Sequence, residues 1–217
     1  MVFNMKVALF DFCDTIVNFQ TADVFVRYCL NKENLLDDNE KKLSKLDKLM
    51  LLSGLKRDYI KKMAYDFFCE MIKPNLYKPV VDLMKWLKTE KKYNIYVVSG
   101  GYQVYIDFFC NEYNLDGVIS NDFIFENNVF TGNIIENDCM GIEKVYRVKK
   151  YFQNIEVTDT IFVSDSISDK PLLDWVDVGI VVSKEKHRNW CDEYRYQQIV
   201  IKDLTNTNDW EQILLVN

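Results

Sequence analysis

The feature that most limits the possible folds is an alternation of short apolar strands with helical segments along most of the chain. Apolar, β-branched runs predict five buried strands and offer a sixth, at 7–10, 95–99, 117–119, 160–164, 178–182 and 198–201. Helical periodicity follows most of them, as at 102–113 and 143–152. Because strands that alternate with helices form parallel sheets with helical crossovers, the sequence predicts an α/β fold.

Two segments break this alternation. Between roughly residues 18 and 79 the strand signals vanish, and helical stretches follow one another at 21–30, 38–53 and 58–71. We interpret residues 18–79 as a helical cap inserted into a core made of residues 1–17 and 80–217. The cap is slightly basic, which suits an anionic substrate or reflects a solvated helix face. Residues 122–134 alternate around Asn127-Asn128 and predict a hairpin.

Composition indicates a packed chain and excludes several classes of function. The chain is 48% hydrophobic and its net charge is -6, which argues against a nucleic-acid partner. No membrane-length apolar run or signal peptide is visible, and six scattered cysteines indicate reduced thiols, so we expect a cytoplasmic protein. His187 is the only histidine and is interpreted as a surface residue, which leaves no histidine triad or zinc cluster. The oligomeric state is left open.

Polar residues that could carry chemistry follow the ends of predicted strands. Asp11 follows the first strand, Ser-Gly-Gly at 99–101 the second, and Asp165 and Asp169 the fourth, while Lys144 opens a helix. In a doubly wound sheet these positions meet in one crevice. Grouped carboxylates need a cation and favour Mg²⁺, and a hydroxyl with a glycine-rich turn suits phosphate oxygens. Each residue alone could be a cap, a turn or a solvated lysine, but together they indicate phosphoryl transfer to an aspartate.

These motifs also carry a resemblance to a known family. They are Phe-Asp-Phe-Cys-Asp-Thr-Ile-Val-Asn at 10–18, Val-Val-Ser-Gly-Gly at 97–101, Phe-Thr-Gly at 130–132, Lys144, and Val-Ser-Asp-Ser-Ile-Ser-Asp at 163–169. With them the chain resembles the haloacid dehalogenase-like hydrolases, within them the phosphoserine-phosphatase-like branch. The resemblance covers nearly the whole chain. It implies a doubly wound, Rossmann-like core with a small helical cap after the first strand.

The resemblance further implies a Mg²⁺-dependent phosphatase that hydrolyses a small phosphorylated metabolite through an aspartyl-phosphate. Asp11 would be the nucleophile. Ser99 and the N–H of Gly100 would hold the phosphoryl group, and Lys144 would neutralise it.

For the metal, the resemblance implies Asp11 and Asp165 as direct ligands. Cys13 would contribute its backbone carbonyl. Asp169 would give support through a metal-bound water or through Lys144.

Cys13 is where the sequence departs from the phosphatases of this family. They carry an aspartate there, which protonates the leaving oxygen and then activates water, a function that contributes about 10²–10⁴ in rate. A thiol is a weak hydrogen-bond donor. Asp14 could substitute, but adjacent residues of an extended segment point to opposite sides, and it also suits a turn or cap. Two alternatives follow: a phosphotransferase to an acceptor other than water, or a catalytically weak phosphate-binding scaffold.

Other branches of the family also lack this aspartate. Dehalogenases need no metal, so Asp165 and Asp169 argue against that reaction. Phosphonate hydrolases use a Schiff-base lysine of the cap, and nothing in the sequence marks one of the candidates as desolvated. The lysines considered are Lys32, Lys41, Lys45 and Lys56.

The substrate prediction depends on the start of the cap. Phosphoserine enzymes carry a glutamate there that binds the substrate ammonium, and the matching residue here is Gln20. Phosphoserine is therefore disfavoured, and a polyol, sugar or nucleotide-sugar precursor phosphate becomes comparably plausible. Asn18, Gln20 and Asp23 are candidate substrate contacts or caps of the first helix. Arg57 is a candidate carboxylate clamp or a surface residue.

Overall fold

The strands of the protein form one parallel sheet and one small hairpin. A computed structural model describes residues 5–33 and 42–203. The sheet has six strands in the order β3-β2-β1-β6-β7-β8, and β4 pairs with β5 in an antiparallel hairpin. The strands are β1 (Met5–Phe10), β2 (Asn94–Tyr102), β3 (Gly117–Asn121), β4 (Phe123–Glu126), β5 (Val129–Ile134), β6 (Val157–Ser164), β7 (Val178–Ser183) and β8 (Gln197–Val200).

Helices lie between the strands and also fill the segment between β1 and β2. The α-helices are α1 (Thr21–Lys32), α2 (Lys45–Met50), α3 (Arg57–Phe67), α4 (Lys78–Thr89), α5 (Gln103–Glu112), α6 (Ile142–Tyr151), α7 (Lys170–Leu173) and α8 (Asn189–Tyr194). Within the described residues the chain also forms a π-helical turn (Phe68–Ile72) and 3₁₀ turns at Lys73–Asn75, Ile167–Asp169 and Ile201–Asp203. Within residues 5–33 and 42–203, none of these helices is long and apolar enough to cross a membrane.

Strand β1 lies at the centre of the sheet because its residues are apolar on both faces. Ala8 and Phe10 pack into one hydrophobic cluster, with α1, α3, α4 and α5. Val7 and Leu9 pack into a second cluster on the opposite face, with α6. Helices therefore cover both faces, and the predicted doubly wound α/β fold is confirmed.

The structure contains all six predicted strands and the predicted hairpin. The hairpin turn is Asn127-Asn128, where φ is 47° and 68°. Two successive residues with positive φ match the right-handed twist of the strands, and asparagine tolerates this conformation better than most residues.

The helical predictions between β1 and β2 agree less closely with the structure. The predicted helix 38–53 is helical only over Lys45–Met50, and its residues 38–41, with Lys41, lie outside the described residues. The predicted helix 58–71 becomes α3 and then the π-helical turn. Burial of Phe68 and Ile72 continues the apolar pattern across this change, so the sequence does not mark it.

Main-chain hydrogen bonds join the segment between β1 and β2 to the hairpin. The N–H of Gly54 donates to the carbonyl of Phe130, and the N–H of Phe130 donates to that of Leu55, both at 2.9 Å. The N–H of Arg57 donates to the carbonyl of Asn128, also at 2.9 Å. The hairpin thus anchors the inserted segment, while the predicted boundaries of a cap at residues 18–79 stay a prediction.

Candidate active site

The carboxyl ends of β1 and β6 bring two of the predicted carboxylates together. Asp11 directly follows β1, and its N–H extends the sheet by donating to the carbonyl of Val163 at 2.9 Å. Asp165 directly follows β6. Both side chains line one cavity of about 270 Å³. This is the edge at which parallel sheets of this kind bind their ligands.

Lys144 lies at the centre of a buried ion-pair network. Gly141, whose φ is 53°, directly precedes α6. Lys144 therefore lies in the first turn of that helix, and its side chain is buried, at 1% exposure. Its Nζ donates to Asp11 Oδ1 and to Asp169 Oδ2, both at 2.7 Å. Ser164 Oγ also donates to Asp169 Oδ2, at 2.6 Å. A buried ammonium requires such partners, so Asp169 supports the lysine.

The pKa values of the buried groups follow from burial and from their neighbours. Burial raises the pKa of Asp11 to about 6, although Lys144 opposes the shift. Burial alone would lower the pKa of Lys144, but Asp11 and Asp169 outweigh it and raise this pKa. Burial, with the charges of Asp11 and Asp14, raises the pKa of Asp165 to about 7. The cavity is therefore short of positive charge near Asp11 and Asp165.

The shortage of positive charge near Asp11 and Asp165 is what a bound metal ion would relieve. Within the described part of the chain, no group of three His, Cys, Asp or Glu side chains forms a ready-made ligand set. Mg²⁺, however, keeps several waters and commonly uses one or two carboxylates. Asp11 and Asp165 supply two carboxylates, and Cys13, two residues after Asp11, lines the same cavity and could offer its backbone carbonyl. A divalent cation would offset their repulsion, so the residues fit Mg²⁺.

The Ser-Gly-Gly segment lies in the last part of β2, where the pairing register with β3 shifts and where both glycines are tightly packed. The N–H of Gly101 donates to Ser99 Oγ at 3.0 Å, which leaves the serine hydroxyl proton for another acceptor. A Cβ on Gly100 would lie 2.4 Å from Met140 Sδ, and a Cβ on Gly101 would lie 2.8 Å from Tyr105 Oη. Ser99 and Gly100 both line the cavity that holds Asp11.

Cys13 lies in the same cavity and contacts the beginning of α1. Its Sγ is 3.1 Å from Thr21 Oγ1 and accepts a hydrogen bond from the N–H of Thr21 at 3.4 Å. The Thr21 hydroxyl in turn lies 2.7 Å from Tyr105 Oη. Burial and the charge of Asp11 raise the pKa of the thiol to about 11. Cys13 is therefore a neutral thiol that takes the place of a helix cap.

Of the predicted substrate contacts, Gln20 and Asp23 line the cavity and Asn18 does not. Asp14 lies outside the lining as well, with a φ of 54°, and accepts a hydrogen bond from Gln20 Nε2 at 2.6 Å. This contact favours the interpretation of Asp14 as a turn carboxylate. Arg57 stacks on the ring of Phe125, 3.9 Å from its centre, which favours a surface residue over a carboxylate clamp.

Several cavity residues were not predicted from the sequence. The sequence offers Lys45 only as one of several candidate Schiff-base lysines of the cap and does not distinguish it from the others. Asp138 lies in the loop between β5 and α6 and does not directly follow a strand, so no motif marks it. The unpredicted residues that line the cavity are Ala22, Lys45, Asp138, Met140, Ser166 and Ser168. Their approach to Asp11 is visible only in the tertiary structure.

The remaining residues of interest lie where the sequence analysis put them or play no part in the cavity. His187 is exposed and contacts Asp192 at 2.9 Å. All six cysteines are free thiols.

Comparison with known proteins gives a family and a set of structural neighbours. The family described as haloacid dehalogenase-like hydrolase matches residues 8–174. A protein of unknown function from Bordetella pertussis Tohama I has a TM-score of 0.79 at 19% identity, over 92% of this chain and 100% of its own. No curated protein has a sequence that matches significantly.

Phosphoserine phosphatases are among the other structural neighbours. A substrate-bound phosphoserine phosphatase complex has a TM-score of 0.66 at 20% identity, over 97% of this chain and 98% of its own. A phosphoserine phosphohydrolase-like protein from Francisella tularensis subsp. tularensis SCHU S4 has a TM-score of 0.64 at 18% identity, over 98% and 100%. At these identities the neighbours show a shared fold.

Proposed function

Because the chain belongs to the haloacid dehalogenase-like hydrolase family, we propose that it is a Mg²⁺-dependent phosphatase of a small phosphorylated metabolite. The observation that carries the proposal is the buried network in which Lys144 holds Asp11 and Asp169, beside Ser99 and Gly100. It combines a fixed carboxylate with hydroxyl, amide and ammonium donors for phosphate oxygens. The six free thiols support a cytoplasmic location.

Asp11 is the proposed nucleophile. One oxygen of its carboxylate attacks phosphorus, the ester P–O bond breaks, and the leaving oxygen takes up a proton from solvent water or, less readily, from the Cys13 thiol. Water then attacks the phosphorus of the aspartyl-phosphate, which releases inorganic phosphate and restores the carboxylate. Lys144 orients Asp11 by donating a hydrogen bond to Asp11 Oδ1, and it also neutralises the phosphoryl oxygens. Ser99 and the N–H of Gly100 bind the same phosphoryl oxygens. Mg²⁺, held by Asp11, Asp165 and the Cys13 carbonyl, would add positive charge for the phosphate.

Cys13 determines which substrates can react quickly. Its thiol is bonded to Thr21 and is a weak donor, so it assists a poor alkoxide leaving group less than an aspartic acid would. We therefore expect turnover to depend steeply on the acidity of the leaving group. Aryl phosphates, whose leaving groups need little protonation, are the appropriate first probes.

Phosphate release in the presence of Mg²⁺ tests this proposal. The proteins to compare are wild type, Asp11→Asn and Cys13→Asp, with phenyl phosphate and alkyl phosphates as substrates. We expect Asp11→Asn to abolish release, and Cys13→Asp to raise the rate with alkyl phosphates by about 10²-fold or more. Release that survives Asp11→Asn would contradict the role of Asp11.

A phosphotransferase is the second candidate, and the neutral thiol at Cys13 is the observation that favours it. A thiol without a usable charge activates water poorly, so an aspartyl-phosphate would persist until another acceptor arrives. Adding a small alcohol to the reaction separates the two activities. Phosphorylated alcohol in place of free phosphate would establish transfer. A protein that binds phosphate esters and yields neither product would instead be a binding scaffold.

A further inference from the structure

A lysine from the inserted segment reaches across the cavity to the last part of β2, which carries Ser99 and Gly100. Lys45 Nζ donates to the carbonyl of Gly100 and to Asp138 Oδ1, both at 2.6 Å, and its side chain is 25% exposed. An ammonium has three hydrogens, so one remains for a ligand. Lys45 thus offers a donor in the wall of the cavity, next to the proposed phosphate site.

Asp138 offers an acceptor beside that donor. Asn121 Nδ2 donates to Asp138 Oδ1 at 2.6 Å and to the carbonyl of Gly100 at 2.9 Å, while Asn121 Oδ1 accepts from the N–H of Cys139. These bonds fix the carboxylate. Among the described residues nothing donates to Asp138 Oδ2, and the side chain is 29% exposed. This oxygen is therefore available to a hydroxyl in the cavity.

The charges on this wall are already paired. Lys45 neutralises Asp138, and Lys48, one turn along α2, pairs with Asp23 at 2.6 Å. A ligand carboxylate that approached Lys45 would also meet the negative charge of Asp138, and a ligand ammonium that approached Asp138 would also meet the positive charge of Lys45, which costs free energy. A hydroxyl can donate to one partner and accept from the other without separating them. The wall therefore favours neutral polar groups.

We infer that Lys45 and Asp138 form a subsite for neighbouring hydroxyl groups on the leaving group, so that the substrate is a sugar or polyol phosphate. This inference rests on the proposed phosphatase function. The cavity volume of about 270 Å³ lies just below the usual range for ligand pockets, which suits a single sugar ring or a short polyol. Gln20, a neutral amide that lines the same cavity, agrees with a neutral ligand.

Binding tests the inference without requiring turnover. The Asp11→Asn protein is titrated by calorimetry, in Mg²⁺, with a panel of hexose, pentose and polyol phosphates, with phosphoserine, and with phenyl phosphate, which lacks hydroxyls. We expect at least one sugar or polyol phosphate to bind about tenfold more tightly than phenyl phosphate or phosphoserine. Adding Lys45→Met or Asp138→Asn should remove that preference, because it should weaken binding of the preferred sugar or polyol phosphate more than binding of phenyl phosphate. Lys62→Met, which removes an exposed ion pair with Asp66 on α3, is the matched control.

Two results would overturn the inference. Preferred binding of phosphoserine or phenyl phosphate would show that the wall does not select hydroxyls. An equal loss of affinity for every ligand in the Lys45→Met and Asp138→Asn variants would show that these two residues only position the backbone at Gly100. Failure of the proposed function gives a different pattern, in which sugar phosphates bind with the expected preference but wild type releases no phosphate.

Discussion

At the scale of single residues, Lys144 is the side chain on which the buried charges depend. It is 1% exposed and contacts two carboxylates, of which Asp11 is 6% exposed and Asp169 is 1% exposed. Without the ammonium, both carboxylates would be buried without a counter-charge. The contacts that fix Asp11, the proposed nucleophile, therefore also determine whether this part of the core is stable.

We expect Lys144→Met to lower the free energy of unfolding by about 3 kcal/mol, because a buried ion pair loses one partner. Urea unfolding at pH 7.5 measures this. Lys170→Met, which breaks an exposed pair with Asp174, should cost less than about 1 kcal/mol. The double variant Lys144→Met/Asp169→Asn should regain part of the loss. A Lys144→Met protein as stable as wild type would contradict the assigned role.

At the scale of elements, the last part of β2, which directly precedes α5, combines the proposed phosphate-binding residues with tight packing. Gly100 faces Met140, whose side chain is flexible and 46% exposed, whereas Gly101 faces the buried Tyr105 and Thr21. The sequence marks this segment because an apolar strand followed by a glycine pair is a local signal, but β2 continues through both glycines to Tyr102. The different surroundings of the two glycines depend on the tertiary structure.

We expect Gly101→Ala to be more damaging than Gly100→Ala. The new methyl group at position 101 meets Tyr105 Oη at 2.8 Å and Ile106 Cδ1 at 3.1 Å, in a core that cannot yield, so it should cost about 1–3 kcal/mol. At position 100 the methyl group meets the end of Met140, which can move. Thermal unfolding and phosphate release of both variants measure the difference. Equal effects would show that Met140 is as constrained as Tyr105.

The difference between local sequence signals and contacts that depend on the tertiary structure also limits what the sequence could predict about the cavity. Asp11, Ser99 and Asp165 were predictable because each follows an apolar strand, and strand ends meet at one edge of a parallel sheet. Lys45 and Asp138 were not predictable because they are 93 positions apart and no motif links them. Their contact depends on how α2 packs against α1 and the hairpin strand β5, and packing of this kind leaves no periodic signal in the sequence.

At the scale of the whole molecule, the cavity carries more negative charge than it can balance without a cation. The pKa values of Asp11 and Asp165, about 6 and about 7, lie above the ordinary 3.8. The folded protein therefore holds protons that the unfolded chain has released between about pH 4 and pH 7. Metal-free protein should lose stability as the pH rises through this range and level off above it.

We expect Mg²⁺ to reverse this loss, because it binds the ionised carboxylates. Unfolding midpoints measured at pH 5 and pH 7.5, with Mg²⁺ or with a chelator, test the prediction. The gain from Mg²⁺ should be larger at pH 7.5. Asp165→Asn should reduce the pH dependence of the metal-free protein, and Lys62→Met should leave it unchanged. An equal gain at both pH values would show that the cation binds elsewhere.

The hydrogen bonds between the inserted segment and the hairpin also set an order of assembly. Gly54, Leu55 and Arg57 pair with Asn128 and Phe130, so the partners of these early residues are synthesised much later. During translation the segment around α2 has no hairpin to bind until β5 has left the ribosome. Lys45 cannot settle over Gly100 earlier, since Asp138 follows later still. The residues that line the cavity run from Asp11 to Asp169, so a nascent chain carries Asp11 long before it can carry a finished site.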